Sequence, residues 1–393
     1  MTIAAPGSFF WGASTAAHQI EGNNVNSDWW QAETREGSPF PDRSGDAVDG
    51  YHRYEEDIAT LARAGLTAYR FSIEWARIEP VQGMISQAEL DHYRRIIDCC
   101  LDAGVRPVIT LHHFTLPRWF AEAGGWENSQ AVEHFATYVR AVVPILSGVE
   151  YVVTINEPNT LASVGNVLAI RELVAPTNMA VPNAHLREVL AAAHKQAVGI
   201  LRQAGLRAGW SVNTRLFHPV SDNTKAAEVA ERLSQLFVKD FLEVARGDDF
   251  VGVQAYTYVC VGEDGPVAPS EGTRLTKNKW PFYPEALHDG IQLAHEVAEV
   301  PVLITENGIA TDDDAERIEY MEKAISGLQA AQASGIEVLG YLHWTLLDNY
   351  EWGSYFPTFG LIAVDRENFT RTAKPSLARL GRFVQDQSSD TMS

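Results

Sequence analysis

From one end to the other, the chain alternates short apolar runs with longer segments whose apolar residues recur at helical spacing. Eight short runs can be counted, at residues 8–14, 68–75, 106–114, 151–158, 207–213, 249–256, 301–308 and 338–346. Several carry Val, Ile and Thr on both faces, as strands covered on two sides do. Between them, residues 86–103, 129–146, 184–203, 225–245 and 313–334 place charges between apolar positions in the pattern of amphipathic helices. Strands alternating with helices imply βα units and a parallel sheet. A doubly wound sheet would more often carry a Gly-rich phosphate fingerprint after its first strand, and none is present. Eight units instead match a single (β/α)8 TIM barrel, and 393 residues lie within the range of one large barrel. No linker, charge block or low-complexity tract interrupts the alternation, so one catalytic domain is expected over residues 1–387, with a frayed tail at 388–393. A barrel of this kind holds its chemistry at the C-terminal ends of its strands.

Composition narrows the ligand. Lys plus Arg number 31 against 51 Asp plus Glu, a net charge of -20, which repels nucleic-acid phosphates and anionic membranes on average. Neither nucleic acid nor a membrane is an expected partner. The segment MTIAAPGSFF has neither the basic region nor the apolar stretch of a signal peptide, and no later run has the length of a membrane span, so a cytoplasmic address is expected. The three cysteines, Cys99, Cys100 and Cys260, lack metal-type spacing and read as reduced and structural. The His112–His113 pair suggests a metal at first sight, but adjacent strand residues point to opposite faces, so no metal site is expected.

The fourth run ends TINEP and the seventh ITENG, so Glu157 and Glu306 each follow an apolar strand and project at the same face of the barrel. One such Glu alone reads as a salt-bridged strand end; two in matched positions point to function. Paired carboxylates suit glycoside hydrolysis, in which one group protonates the leaving oxygen while the other attacks or supports the oxocarbenium-like centre.

These residues resemble those of the family-one glycoside hydrolases, the β-glucosidase and β-galactosidase group, whose catalytic motifs read TxNEP and ITENG. The likeness extends nearly end to end: FFWGASTAAHQIEG at 9–22, SDWW at 27–30, YRFSIEWARIEP at 69–80, WPFYPEAL at 280–287 and HWTLLDNYEW at 343–352. The resemblance implies Glu157 as general acid/base and Glu306 as the nucleophile, with the carboxyl groups about 5–5.5 Å apart, the spacing of a retaining site. It implies Asn156 as the partner of the sugar 2-hydroxyl. Arg70 and Tyr256 match residues that hold the nucleophile, so Glu306 is expected to be the more acidic carboxyl. Gln19, His113, Glu351 and Trp352 match the glycon-binding set, and Trp344 the platform under the sugar ring. Trp29, Trp30, Trp75, Trp119 and Trp126 read equally well as core or loop packing.

The chain also departs from the family. Thr115 stands where relatives carry an Asp, Gln254 and Ala255 where they read Asn-Tyr, and Thr358 where an Arg is usual. The loops after strands four, six and seven look short, which would open the leaving-group side. The implied activity is that of an exo-acting retaining β-glucosidase with no cofactor, acting on small β-glucosides or short β-linked oligosaccharides. A β-galactosidase, a β-fucosidase and a transglycosidase share the same site residues, and a non-catalytic sugar-binding barrel is the reading from another class.

Overall fold

The computed structural model describes residues 8–164, 180–220 and 224–390. Eight strands, β1 (Phe10–Ser14), β2 (Ala68–Ser72), β3 (Arg106–His112), β4 (Tyr151–Asn156), β5 (Arg207–Asn213), β6 (Val251–Ala255), β7 (Val302–Asn307) and β8 (Val338–Trp344), close into one barrel. Every neighbouring pair is parallel, and closure comes from β1 against β8, where Phe10 pairs with Gly340 and Ser14 with Trp344. Each expected run supplies one of these strands.

Alternation along the strands sorts side chains into two layers. Phe10, Ala68, Val108, Tyr151, Val153, Phe250, Leu303, Leu339 and Leu342 form a cluster of their own that plugs the barrel interior. Trp11, Tyr69, Phe71, Ile109, Val152 and Trp210 face the other way and join the helices in the main core. Interior space is tight: a Cβ on Gly12 would lie 2.0 Å from the Ala68 carbonyl oxygen, so β1 and β2 approach as they do because Gly12 has no side chain.

Helices fall where the periodicity places them, and their caps explain the boundaries. Gln87–Asp102 starts after Ser86, which accepts from the Glu89 amide, and Asp314–Ala333 starts after Asp313, which accepts from the Ala315 amide. Ala184–Gln203 starts after Asn183, which accepts from two amides. Expected segment 225–245 is broken: Thr224–Ser234 and Asp240–Val244 flank a π-helical turn over Gln235–Lys239. Apolar periodicity carries no sign of such a one-residue slip. Helix Pro375–Asp390 covers the first part of the expected tail, and 391–393 lie outside the described residues. Among the described residues, no helix is long and apolar enough to cross a membrane.

Additional strands lie beyond the barrel's C-terminal rim. Leu216–Pro219, Tyr258–Gly262 and Gly265–Val267 form a small sheet after β5 and β6, so the loop after β6 carries structure of its own. The loop after β4 runs into residues 165–179, outside the described residues, and the connection after β7 is short, reaching its helix at Asp314.

Candidate active site

A cavity opens at the C-terminal end of the barrel, lined in part by Asn156, Glu157, Tyr256, Glu306, Trp344 and Glu351. Glu157 reaches it by a backbone device. β4 ends at Asn156 and Pro158 opens the next helix, so Glu157 is the single joint between them and takes φ 45°, in the left-handed region. A non-glycine residue held there is strained, and the surroundings hold it: its amide donates to the Ser211 carbonyl on β5 at 2.8 Å. Thr160 donates to its Oε2 at 2.8 Å and Asn213 to its Oε1 at 3.1 Å.

Glu306 sits in β7 between two stronger donors. Arg70 on β2, fully buried, donates from Nη1 to Oε1 at 2.7 Å, and the Tyr256 hydroxyl donates to Oε2 at 2.5 Å. Arg70 is itself fixed on three further sides, by Thr110 Oγ1 at 2.9 Å, the Thr305 carbonyl at 3.2 Å and Asn156 Oδ1 at 2.6 Å. Such a guanidinium has one geometry available, so it acts as a rigid charge beside the carboxylate.

A third carboxyl, Glu351, follows β8. Gln19 donates to its Oε2 at 3.1 Å and the Trp344 indole to its Oε1 at 3.3 Å. Gln19 also donates to Asn349, and its own amide oxygen is buried with no partner among the described residues. His113 lies between Trp344 and Trp352, with ring centroids 5.8 and 5.9 Å away and planes within 19° and 15°. The cavity thus combines flat aromatic faces with a few convergent polar groups, the makeup of a small-molecule site.

Burial dominates the acidity of these groups. Desolvation raises all three carboxyls, Glu306 to about 7 and Glu351 to about 8. Burial thus holds Glu306 well above the ordinary carboxylate range in spite of its donors, a cost that a reading of the donors alone leaves out. Repulsion from Glu157 is part of what raises Glu306. When Glu157 carries the proton that part disappears, leaving Glu306 against Arg70 and Tyr256, so the donors favour a proton on Glu157 when the pair holds one. The charge of Arg215, another cavity residue, pulls Glu157 down.

All ten residues singled out in the sequence meet here. His113, Asn156, Glu157, Tyr256, Glu306, Trp344, Glu351 and Trp352 line the cavity, while Gln19 and Arg70 stand behind it and bond to its wall. His112 points away, edge-on to Trp126 and Phe135, so the two histidines do diverge. Among the described residues, no three His, Cys, Asp or Glu side chains group as metal ligands. Trp29 and Trp75 are core residues and the Trp119 indole donates to the Glu79 carbonyl. Thr115, in place of the usual Asp, donates to Glu74, and Thr358 to the Thr311 carbonyl. Sequence reasoning missed Thr160, Asn213 and Arg215. Asn213 ends β5, so the rule that barrel chemistry gathers at strand ends could have found it; Thr160 and Arg215 carried no comparable signal.

Comparison with known proteins agrees with this geometry. Beta-glucosidase A of Thermotoga maritima is 31% identical over 430 residues, covering 94% of this chain and 95% of that protein. Beta-glucosidase A of Acetivibrio thermocellus is 29% identical over 436 residues, covering 95% and 96%. Among solved structures, the beta-glycosidase BGL167 superposes with a TM-score of 0.88 at 40% identity, covering 98% of this chain and 97% of its own. The Thermotoga maritima beta-glucosidase in complex with glucoimidazole superposes with a TM-score of 0.88 at 29% identity, covering 97% and 98%. The family model for glycosyl hydrolase family 1 matches residues 1–258 and 249–388, and the chain belongs to that family.

Proposed function

We propose that the protein is an exo-acting, retaining β-glucosidase in which Glu306 is the nucleophile and Glu157 the general acid/base. The observation that carries the assignment is the asymmetry of their donors. Glu306 faces a guanidinium and a phenol, which favour its ionised form; Glu157 faces a hydroxyl and an amide, which leave it freer to hold a proton.

In the first step the Glu306 carboxylate attacks the anomeric carbon while Glu157 gives its proton to the glycosidic oxygen, and the aglycone leaves as an alcohol. The product is a glycosyl ester on Glu306. Glu157, now ionised, takes a proton from water as the water oxygen attacks the same carbon, the ester bond breaks, and both carboxyls return to their starting states. Gln19 and Glu351 meet the glycon hydroxyls, Asn156 the 2-hydroxyl, and Trp344 lies under the apolar face of the ring.

A panel of nitrophenyl β-glycosides tests the glycon: the glucoside is expected to be the best substrate, and a strong preference for galactoside or fucoside would replace that choice on the same site. Glu306→Ala should abolish turnover. Glu157→Ala should keep activity on substrates with good leaving groups and, with added azide, release β-glucosyl azide. The opposite behaviour of the two variants would reverse the roles.

A further inference from the structure

Gln254, near the end of β6, takes no part in the chemistry above. It is fully buried and donates from Nε2 to Asn156 Oδ1 at 2.7 Å. The same oxygen accepts from Arg70 Nη2 at 2.6 Å. A guanidinium can only donate, so the Asn156 atom facing it is the amide oxygen, and the Gln254 atom facing that oxygen is the amide nitrogen. One donor-only group thereby fixes both amide orientations.

The consequence falls on the other half of Asn156. With two donors on Oδ1, its NH2 group is turned away from Arg70 and Gln254, and Asn156 lines the cavity beside Glu157 and Glu306. The hydrogen bonds of the Asn156 side chain to described residues both fall on Oδ1, which leaves the nitrogen for the cavity that Asn156 lines. Gln254 keeps this arrangement at a cost, because its own Oε1 is buried without a partner among the described residues. A side chain serving only to fill the interior would do so better without that oxygen.

We propose that Gln254 is a positioning residue: together with Arg70 it locks the Asn156 amide so that its NH2 faces the sugar, and so sets how strongly the enzyme depends on the 2-hydroxyl of its glycon. This rests on the reading of the cavity as a β-glucosidase site. A hydrogen bond to that hydroxyl which tightens at the transition state acts on kcat more than on KM. Loss of Gln254 leaves Asn156 held by Arg70 alone.

The test compares wild type with Gln254→Met, which keeps the length and removes the donor, on nitrophenyl β-glucoside and its 2-deoxy analogue. Expected is a fall of about 10-fold in kcat on the glucoside, little change on the 2-deoxy substrate, and so a preference for the 2-hydroxyl narrowed by the same ~10-fold. The melting temperature should not drop. An equal fall on both substrates, or no fall on either, overturns the proposal, since a merely structural side chain would not distinguish them. If Gln254→Met does not fold, Gln254→Leu, which likewise has no donor for Oδ1, gives the same comparison. Should wild type hydrolyse no β-glycoside, the catalytic reading fails, while calorimetry with glucose and 2-deoxyglucose still decides whether Gln254→Met erases a preference for the 2-hydroxyl.

Discussion

Taking one oxygen from Tyr256 isolates the donor that most directly addresses the Glu306 charge. Tyr256→Phe keeps the ring, which sits edge-on to Trp280 and Phe359 at 6.0 and 6.1 Å, and removes only the hydroxyl that donates to Oε2 at 2.5 Å. Burial and the neighbouring carboxylates hold the phenol well above its ordinary range, so it stays a donor throughout any workable pH profile. A hydrogen bond to a charged group is worth about 1.5–3 kcal/mol, and about 1.4 kcal/mol corresponds to one pH unit. Because the bond favours the ionised form, losing it raises the Glu306 pKa. The acid limb of kcat/KM on nitrophenyl β-glucoside should therefore move up by about one to two pH units. In wild type that limb reports a carboxyl already raised to about 7. A limb that stays in place, or moves down, would refute the claim that Tyr256 acts by stabilising the nucleophile's charge.

Other consequences are open to equally direct checks. Arg215→Met removes a charge that lowers Glu157, so the alkaline limb, which reports loss of the acid's proton, should move to higher pH; a downward shift would contradict this. Thermal stability should fall from about pH 6.5 to pH 8.5, by up to ~4 kcal/mol, because Glu21, Asp28 and Glu306 (each raised to about 7) and Glu351 (about 8) keep protons in the folded state that the unfolded chain has lost. Below that window the buried His92, His112 and His343, lowered to about 4, 3 and 3, work in the opposite sense, so the decline belongs to the upper range; calorimetry showing stability rising across it would be contrary. Nitrophenyl β-glucoside should be cleaved at least ~100-fold better than its 6-phosphate, since a dianion would lose its hydration beside the buried Glu351 carboxyl and, above about pH 8, also meet its charge, and Glu351→Ser should narrow the gap.

The barrel was legible because its strands are buried on both faces, leaving eight apolar runs that periodicity alone separates from the helices. Glu157 and Glu306 were legible for a related reason: one carboxylate closing an apolar strand reads as a salt-bridged end, but two in matched positions at the same face point to chemistry. What escaped depends on three-dimensional register. Gln254 stood out as a departure from the family, yet its link to Asn156 exists only because β4, β5 and β6 bring the two amides to one level inside the barrel. Thr160 lies one helical turn beyond Glu157, and its hydroxyl turns back only because Glu157 takes a left-handed φ, which one-dimensional patterning does not encode. How far burial raises these carboxyls escaped for an energetic reason: donors can be read from motifs, whereas desolvation depends on how completely the cavity excludes water.

The central claim, that Glu306 becomes bonded to the sugar, is tested most directly by trapping the intermediate. 2-Deoxy-2-fluoro-β-glucosyl fluoride slows both steps of a double displacement but carries a leaving group good enough for the first. Incubated with the enzyme and digested, it should leave one fluoroglucosyl mass on the peptide containing Glu306 and none on that containing Glu157. The adduct on Glu157, or no adduct together with first release of the α-anomer from a β-glucoside, would contradict the account.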